Sequence, residues 1–95
     1  MEQFLKLDQA QKVVISAVLK ILKKNSKVTA NSNLIGSDSL LDSTSLVEVC
    51  IELEDLSNKY GFEFDWTSES TMSRSRSIFR NVKTLAKEFA RQSKL

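Results

Sequence analysis

The sequence predicts a small all-α fold, a bundle of three to four helices with a long loop between the first and second helices. At 95 residues the chain is long enough for one domain with a modest core, which we place over residues 1–95. It has no proline and only two glycines, so long helices can run uninterrupted, whereas a β-sandwich would need many turn residues. In three segments, apolar residues recur with the 3.6-residue period of a helix.

The first helix is predicted over residues 9–24. Asp8 is a suitable N-cap, and the lysines of the last turn oppose the helix dipole favourably. The apolar stripe consists of Val14, Ala17, Val18, Ile21 and Leu22, and the terminal lysines are Lys20, Lys23 and Lys24. Residues 25–42 are rich in Asn and Ser, which predicts a long loop. Four apolar residues in it are available to anchor it to the core: Leu34, Ile35, Leu40 and Leu41.

The second helix is predicted over residues 43–60, with Asp42 as N-cap and Gly61 as the glycine that ends it. Its apolar stripe is Leu46, Val49, Cys50, Leu53, Leu56 and Tyr60. In residues 62–66 aromatic and acidic side chains alternate, which predicts an extended segment with its rings in the core.

A short helix is predicted to start near Thr67 or Ser68, followed by loop. Asn81 then caps a final helix over residues 82–92. The residues of this helix that should face inward are Val82, Leu85, Ala86 and Phe89.

The composition makes several functions improbable. There is no histidine, and Cys50 is the only cysteine, so the chain has no internal disulfide, zinc cluster or histidine-based acid–base catalysis. We therefore expect the chain not to be an enzyme. It has no apolar run of about 20 residues, the length needed to span a membrane, and no signal-peptide pattern at its start. A cytoplasmic monomer is the resulting expectation.

Charge is distributed unevenly along the chain. Residues 38–69 contain nine acids and one base, a net charge of −8, whereas the remainder has thirteen bases and three acids, a net charge of +10. The acidic middle is a candidate docking surface for basic partners. A solvated helix face with no partner would have the same pattern, and charge alone does not separate the two interpretations.

Asp42 and Ser43 open the second helix, where unpaired N–H groups and the helix dipole would stabilise a phosphate ester. Simple N-capping is the alternative use of such a pair. The wider pattern, Leu40-Leu41-Asp42-Ser43 followed by Leu46-Val47-Glu48-Val49 and Ile51-Glu52-Leu53-Glu54-Asp55, resembles the acyl carrier protein family. The order of helices and loop over residues 9–89 also resembles that family.

This resemblance implies that Ser43, with Asp42 as its motif neighbour, receives 4′-phosphopantetheine from coenzyme A by the action of a phosphopantetheinyl transferase. The arm then carries an acyl group as a thioester. The partners implied are an acyl-loading ligase or transferase and downstream synthase enzymes of fatty acid or polyketide biosynthesis. Four acidic residues are implied to dock these basic partners: Glu48, Glu52, Glu54 and Asp55.

A second Asp-Ser pair, Asp38-Ser39, is followed by Leu40 and matches the family's Asp-Ser-Leu literally. The family also has a glutamate about five residues after the serine and a Leu-acid-acid run about ten after it. Counting from Ser43 gives Glu48 and Leu53-Glu54-Asp55, whereas counting from Ser39 gives Thr44 and Val49-Cys50-Ile51. The spacing therefore favours Ser43.

Two departures from the family pattern suggest a specialised carrier. Thr44 stands where the family has leucine, and extra residues, including Arg74, Arg76 and Arg80, separate the second and last helices. We expect these arginines to be solvated or to pair with the acidic helix. Leu46, Val47 and Cys50 are candidates both for contact with partner or cargo and for core packing, and Cys50 is most simply a small buried apolar residue.

Two other functions fit parts of the sequence. An unmodified helical protein-interaction module would explain the charge asymmetry and the amphipathic helices, but it would leave the Asp42-Ser43 context without a purpose. A helical nucleic-acid-binding domain would use the basic ends and would bind with a steep salt dependence. The acidic block would repel a polyanion, so we expect no nucleic-acid partner.

Overall fold

The computed structural model of the protein describes residues 5–22, 27–35 and 41–93. Within these ranges the chain forms five helices and no strand, and the one bridge between extended residues joins Asn33 and Asn81. The predicted all-α class, with a long connection between the first two helices, is confirmed. The helices are α1 (Leu7–Leu22), α2 (Ser43–Asn58), α3 (Glu69–Ser73), α4 (Ser75–Ile78) and α5 (Val82–Ser93).

Helix α1 packs against both α2 and α5. One face is fully buried and contains Ala10, Val14, Ala17 and Val18, as its 3.6-residue pattern predicts. Lys20 lies in its last turn, whereas Lys23 and Lys24 lie outside the described residues.

The predicted start of α1 is wrong, because the helix begins at Leu7 and Asp8 lies within its first turn. The Lys6 carbonyl accepts the Ala10 N–H at 2.9 Å, and Gln9 Oε1 accepts the Lys6 N–H at 3.1 Å. These two hydrogen bonds make Lys6 the N-cap residue, two residues earlier than the predicted cap at Asp8. Asp8 still interacts favourably with the dipole.

Residues 27–35, the described part of the connection before α2, are held by contacts with the start of α5. The Val82 N–H donates to the Ser32 carbonyl at 3.1 Å, and the Lys83 N–H donates to the Ala30 carbonyl at 2.8 Å. Leu34 and Leu41 are buried, which confirms them as anchors; Ile35 is half-buried, and Leu40 lies outside the described residues. The loop thus supplies acceptors that α5 lacks within its own first turn.

The segment after α2 packs its aromatic side chains in or against the core, as predicted. Gly61 has φ +82°, a conformation that glycine adopts without strain. Phe64 is buried, and the rings of Phe62 and Phe64 lie 5.1 and 5.2 Å from that of Phe89.

Tyr60 was predicted on the apolar stripe of the second helix, but α2 ends at Asn58 and Tyr60 is 38% exposed.

Ser68 accepts the Thr71 N–H at 3.3 Å and caps α3, which confirms the short helix predicted near Thr67 or Ser68. The loop predicted after α3 is wrong, since residues 75–78 form α4. Ile78 and Phe79 are buried and hold this turn of helix against the core. Their burial depends on tertiary packing, and it could not be predicted from the sequence because most of the neighbouring residues are polar.

Asn81 and Thr84 cap α5 reciprocally. The Thr84 N–H donates to Asn81 Oδ1 at 2.9 Å, and the Asn81 N–H donates to Thr84 Oγ1 at 3.1 Å. The Asn81 cap is therefore confirmed. The predicted inward residues are also confirmed as buried: Val82, Leu85, Ala86 and Phe89.

A polar cluster on α5 holds the chain between α2 and α4 in place. The buried Glu88 carboxylate accepts hydrogen bonds from Arg91 Nη2 at 2.7 Å, Gln92 Nε2 at 2.9 Å and Arg74 Nη1 at 3.5 Å. Gln92 also exchanges two hydrogen bonds with the Asp65 backbone, at 2.6 and 2.8 Å. Arg74 therefore pairs with α5 and not with the acidic helix.

Glu88→Gln should destabilise the fold by about 1–3 kcal/mol, because buried hydrogen bonds from charged donors are lost. Burial by itself raises the pKa of Glu88, but the hydrogen bonds from Arg91, Gln92 and Arg74 outweigh burial and hold the pKa at about 2. The ionised carboxylate thus stabilises the fold above its ordinary pKa of 4.5, and this stabilisation is lost as the pH falls from about 4.5 toward 2.

Urea unfolding measured at several pH values checks this prediction. The wild type should lose stability over that window more steeply than Glu88→Gln. Glu63→Gln, a change at an exposed carboxylate, is the matched control and should keep the wild-type slope. Equal slopes for wild type and Glu88→Gln would contradict the role given to this cluster.

Candidate functional site

The start of α2 is set by Asp42. This residue has extended backbone angles of φ −84° and ψ 178°, and its Oδ1 accepts the Ser45 N–H at 2.7 Å. Its carbonyl accepts the Leu46 N–H at 2.9 Å, the first bond of the helix. Leu41, just before it, is buried and anchors the chain. Asp42 is therefore the N-cap, as predicted, and Ser43 is the first helical residue.

Ser43 is exposed at this helix N-terminus. Within the described residues its hydroxyl makes no hydrogen bond, whereas Asp42 supplies the side-chain cap. The helix dipole places positive potential at this end of α2. A hydroxyl in this position is accessible to an enzyme, and a phosphate group attached to it would be stabilised electrostatically. The other candidate serine, Ser39, lies outside the described residues.

The Asp42 carboxylate is held in its ionised form. Hydrogen bonds from the Ser45 backbone N–H, and next from the Ser45 side chain, lower the pKa of Asp42 from its ordinary value. The negative charge also interacts favourably with the N-terminal end of the helix dipole. Asp42 is exposed, so its charge is available to a metal or basic group on a visiting enzyme.

An exposed apolar stripe continues from Ser43 along α2. Val47 is 43% exposed and Ile51 is 54% exposed, and the spacing of four residues places both on the side of the helix that Ser43 begins. Val47 was a candidate contact from the sequence. The sequence analysis did not identify Ile51 as a site residue. Its exposure could have been inferred, because Ile51 lies outside the apolar stripe that contains the buried Val49 and Leu53.

The four predicted docking acids are used differently in the structure. Glu48 and Asp55 are exposed beside the apolar stripe. Glu52 instead forms an ion pair with Lys20 of α1, with Nζ–Oε2 at 3.1 Å. Glu54 Oε1 accepts the Trp66 Nε1–H at 2.9 Å. The acids therefore do not form one uniform patch, because two of them also hold neighbouring elements to α2.

Leu46 and Cys50, the other candidate contacts on this helix, face inward. Leu46 is partly buried against the core, and Cys50 is buried within it. Burial raises the pKa of the Cys50 thiol to about 12, so the reactive thiolate does not form near neutral pH. The sequence-based interpretation of Cys50 as a small buried apolar residue is confirmed.

The described residues contain no group of three or more side chains suited to binding a metal ion. In the same part of the chain, no helix has both the length and the apolar character needed to cross a bilayer. No protein-family model, curated protein or solved structure matches the sequence.

Asp42→Ala should lower the thermal unfolding midpoint, because the Ser45 N–H loses its acceptor at the start of α2. Asp42→Asn should lower it less, since asparagine can cap without a charge. The pKa of Asp42 is lowered in the fold, so its charged form stabilises the protein above its ordinary pKa, and that stabilisation disappears as the pH falls through the folded-state pKa. Thermal melts of the three proteins at pH 7 and at acidic pH measure both effects. Identical midpoints for Asp42→Ala and wild type at pH 7 would contradict the capping role.

Proposed function

We propose that this protein is an acyl carrier protein. In this proposal Ser43 carries a 4′-phosphopantetheine arm, and the terminal thiol of the arm holds an acyl group as a thioester. The protein catalyses no reaction itself. It acts as a cytoplasmic monomer that presents its cargo to loading and synthase enzymes.

The observation that carries the proposal is the position of Ser43. Its hydroxyl is exposed at the first residue of a well-capped helix, and within the described chain it makes no hydrogen bond. A serine used only for capping would be expected to bond a nearby N–H, which is the role that Asp42 fills. The free hydroxyl and the positive helix end together suit a permanent phosphodiester.

Attachment of the arm is a phosphoryl-type transfer. A new bond forms between Ser43 Oγ and the pantetheine-side phosphorus of coenzyme A, and the diphosphate bond of coenzyme A breaks. Adenosine 3′,5′-bisphosphate leaves, and the serine proton passes to a base of the transferase or to water. The chain has no histidine, and Ser43 has no basic side chain as a hydrogen-bond partner among the described residues, so we expect the proton acceptor to come from the transferase or from water.

The exposed face of α2 supports recognition by partner enzymes. Glu48 and Asp55 can attract a basic surface, and Val47 and Ile51 can be buried against its apolar centre. Charge of this kind mainly sets encounter rate and choice of partner, while apolar burial adds affinity. All four residues lie within about three helical turns of the attachment serine.

A second candidate is an unmodified helical interaction module. The exposed Val47 and Ile51 favour it as well, because an apolar stripe flanked by acids can serve as a docking surface without any attached group. The two candidates differ in one respect that can be measured, which is whether Ser43 is modified.

Intact mass after incubation with coenzyme A, magnesium and a broad-specificity phosphopantetheinyl transferase tests the carrier proposal. The wild type and Ser39→Ala should gain one phosphopantetheine, and Ser43→Ala should gain none. Ser39→Ala is the matched control, because it removes the hydroxyl of the other Asp-Ser pair.

If Ser43→Ala gained the mass of one phosphopantetheine and Ser39→Ala did not, the attachment site would be Ser39, and the proposed geometry would be contradicted. If the folded wild type gained nothing, the assay would be repeated with the transferases of the native host, since Thr44 is an unusual residue after the serine. No gain with those enzymes would establish the unmodified module.

Glu48→Gln combined with Asp55→Asn should slow phosphopantetheine transfer by about two- to thirty-fold, because two exposed charge pairs together contribute on the order of 0.4–2 kcal/mol. The loss should shrink as salt is raised, since salt screens exposed charges. Initial rates at low and high salt measure it. Glu63→Gln, an exposed acid outside α2, is the control and should transfer at the wild-type rate. An equal loss in the control would mean that only overall charge matters.

A further inference from the structure

A cleft lies on a part of the molecule that the carrier proposal does not use. It is formed by the start of α1 with the residues just before it, by Arg74 and α4, and by one face of α5, and its volume is about 570 Å³. That volume is within the range of about 300–1,000 Å³ that small-molecule sites occupy. No residue of α2 lines it.

Most of the lining is apolar. Leu5, Ile78 and Ala90 are nearly buried at its base, and Leu7, at 41% exposed, forms part of a wall. The Leu5 N–H donates to Ser93 Oγ at 3.0 Å, which holds this segment against the end of α5. The cleft is therefore built from elements that contact one another, and it offers apolar side chains to a ligand.

The charged side chains of the cleft are mainly cationic. Arg74, Lys87 and Arg91 line it together with one carboxylate, Glu88, so the lining has a net charge of +2. Glu88 pairs with both arginines. Within the described residues Lys87 has no ion-pair partner, and both arginine side chains remain about half exposed. The cleft thus retains uncompensated positive charge beside its apolar base.

We propose that this cleft binds a single-chain anionic amphiphile, an alkyl chain with a carboxylate or phosphate headgroup. The alkyl chain would be buried against Leu5, Leu7 and Ile78, and the headgroup would lie near Lys87 and the outer faces of the arginines. Burial of the chain supplies most of the affinity, and the cations select the sign of the headgroup. The site is independent of Ser43 and of the arm.

Two-dimensional amide NMR of the unmodified 95-residue protein tests the proposal, with decanoate as the probe below its micelle-forming concentration. Saturable shifts should appear at cleft residues such as Ile78, Lys87 and Ala90, while α2 stays unchanged. Decyltrimethylammonium, which has the same chain and the opposite charge, should bind at least several-fold more weakly, and acetate should cause no saturable shift. Equal binding of both decyl probes would overturn the proposal.

Paired variants distinguish specific binding in the cleft from non-specific electrostatic attraction and from non-specific hydrophobic binding. Lys87→Gln should weaken decanoate binding about two- to five-fold, whereas Lys83→Gln, one turn earlier on α5 and outside the cleft, should leave it unchanged. Leu7→Ser should weaken it more than Met72→Ser, a change at another exposed apolar residue. Thermal melts confirm that each variant is folded. Equal effects within either pair would overturn the proposal.

Two further measurements distinguish other occupants. In sedimentation with vesicles of anionic phospholipid, the protein should stay in solution. If it pellets with the vesicles, and if Lys83→Gln and Lys87→Gln reduce the pelleted fraction equally, the basic surface would be assigned to membrane binding instead. A variant lacking residues 1–4 should bind decanoate as the full chain does. If decanoate bound only after this deletion, residues 1–4 would be the occupant of the cleft, and the amphiphile proposal would be contradicted.

Discussion

Helix α5 must meet two requirements at once, and the rest of the fold is arranged around them. Its first N–H groups need acceptors, which the loop provides through the Ser32 and Ala30 carbonyls. Its apolar face needs cover, which α1 and the Phe62 and Phe64 rings provide around Phe89. Helix α5 thus contacts residues 30–32 ahead of α2 and the segment that follows α2, while α2 itself packs against α1.

That arrangement leaves one face of α2 exposed and makes it suitable for recognition. The inner face is occupied by the core, while Val47 and Ile51 remain accessible beyond Ser43. If Ser43 carries an arm as we propose, the capped helix holds its attachment point at a constant position relative to this face, and the arm supplies the motion.

Two acidic residues of α2 have structural roles. Glu52 pairs with Lys20, and Glu54 accepts from Trp66, so these acids hold α1 and the extended segment in place. An exposed ion pair such as that of Glu52 contributes little stability and can exchange its lysine for a cation on a partner at small cost. Glu48 and Asp55 are exposed and need no such exchange, so they are the recognition groups that our proposal favours.

The sequence by itself determined the helices with clear apolar periods, the Asp42 cap and the position of Ser43, because these depend on neighbours within one or two helical turns. Only the tertiary structure decided that residues 75–78 are helical, since that turn is stabilised by burial of Ile78 against distant parts of the chain. It also decided which acids of α2 stay free and where the cleft beside α5 lies. Local patterns cannot specify these features, because each depends on residues far apart in the sequence that meet only when the chain folds.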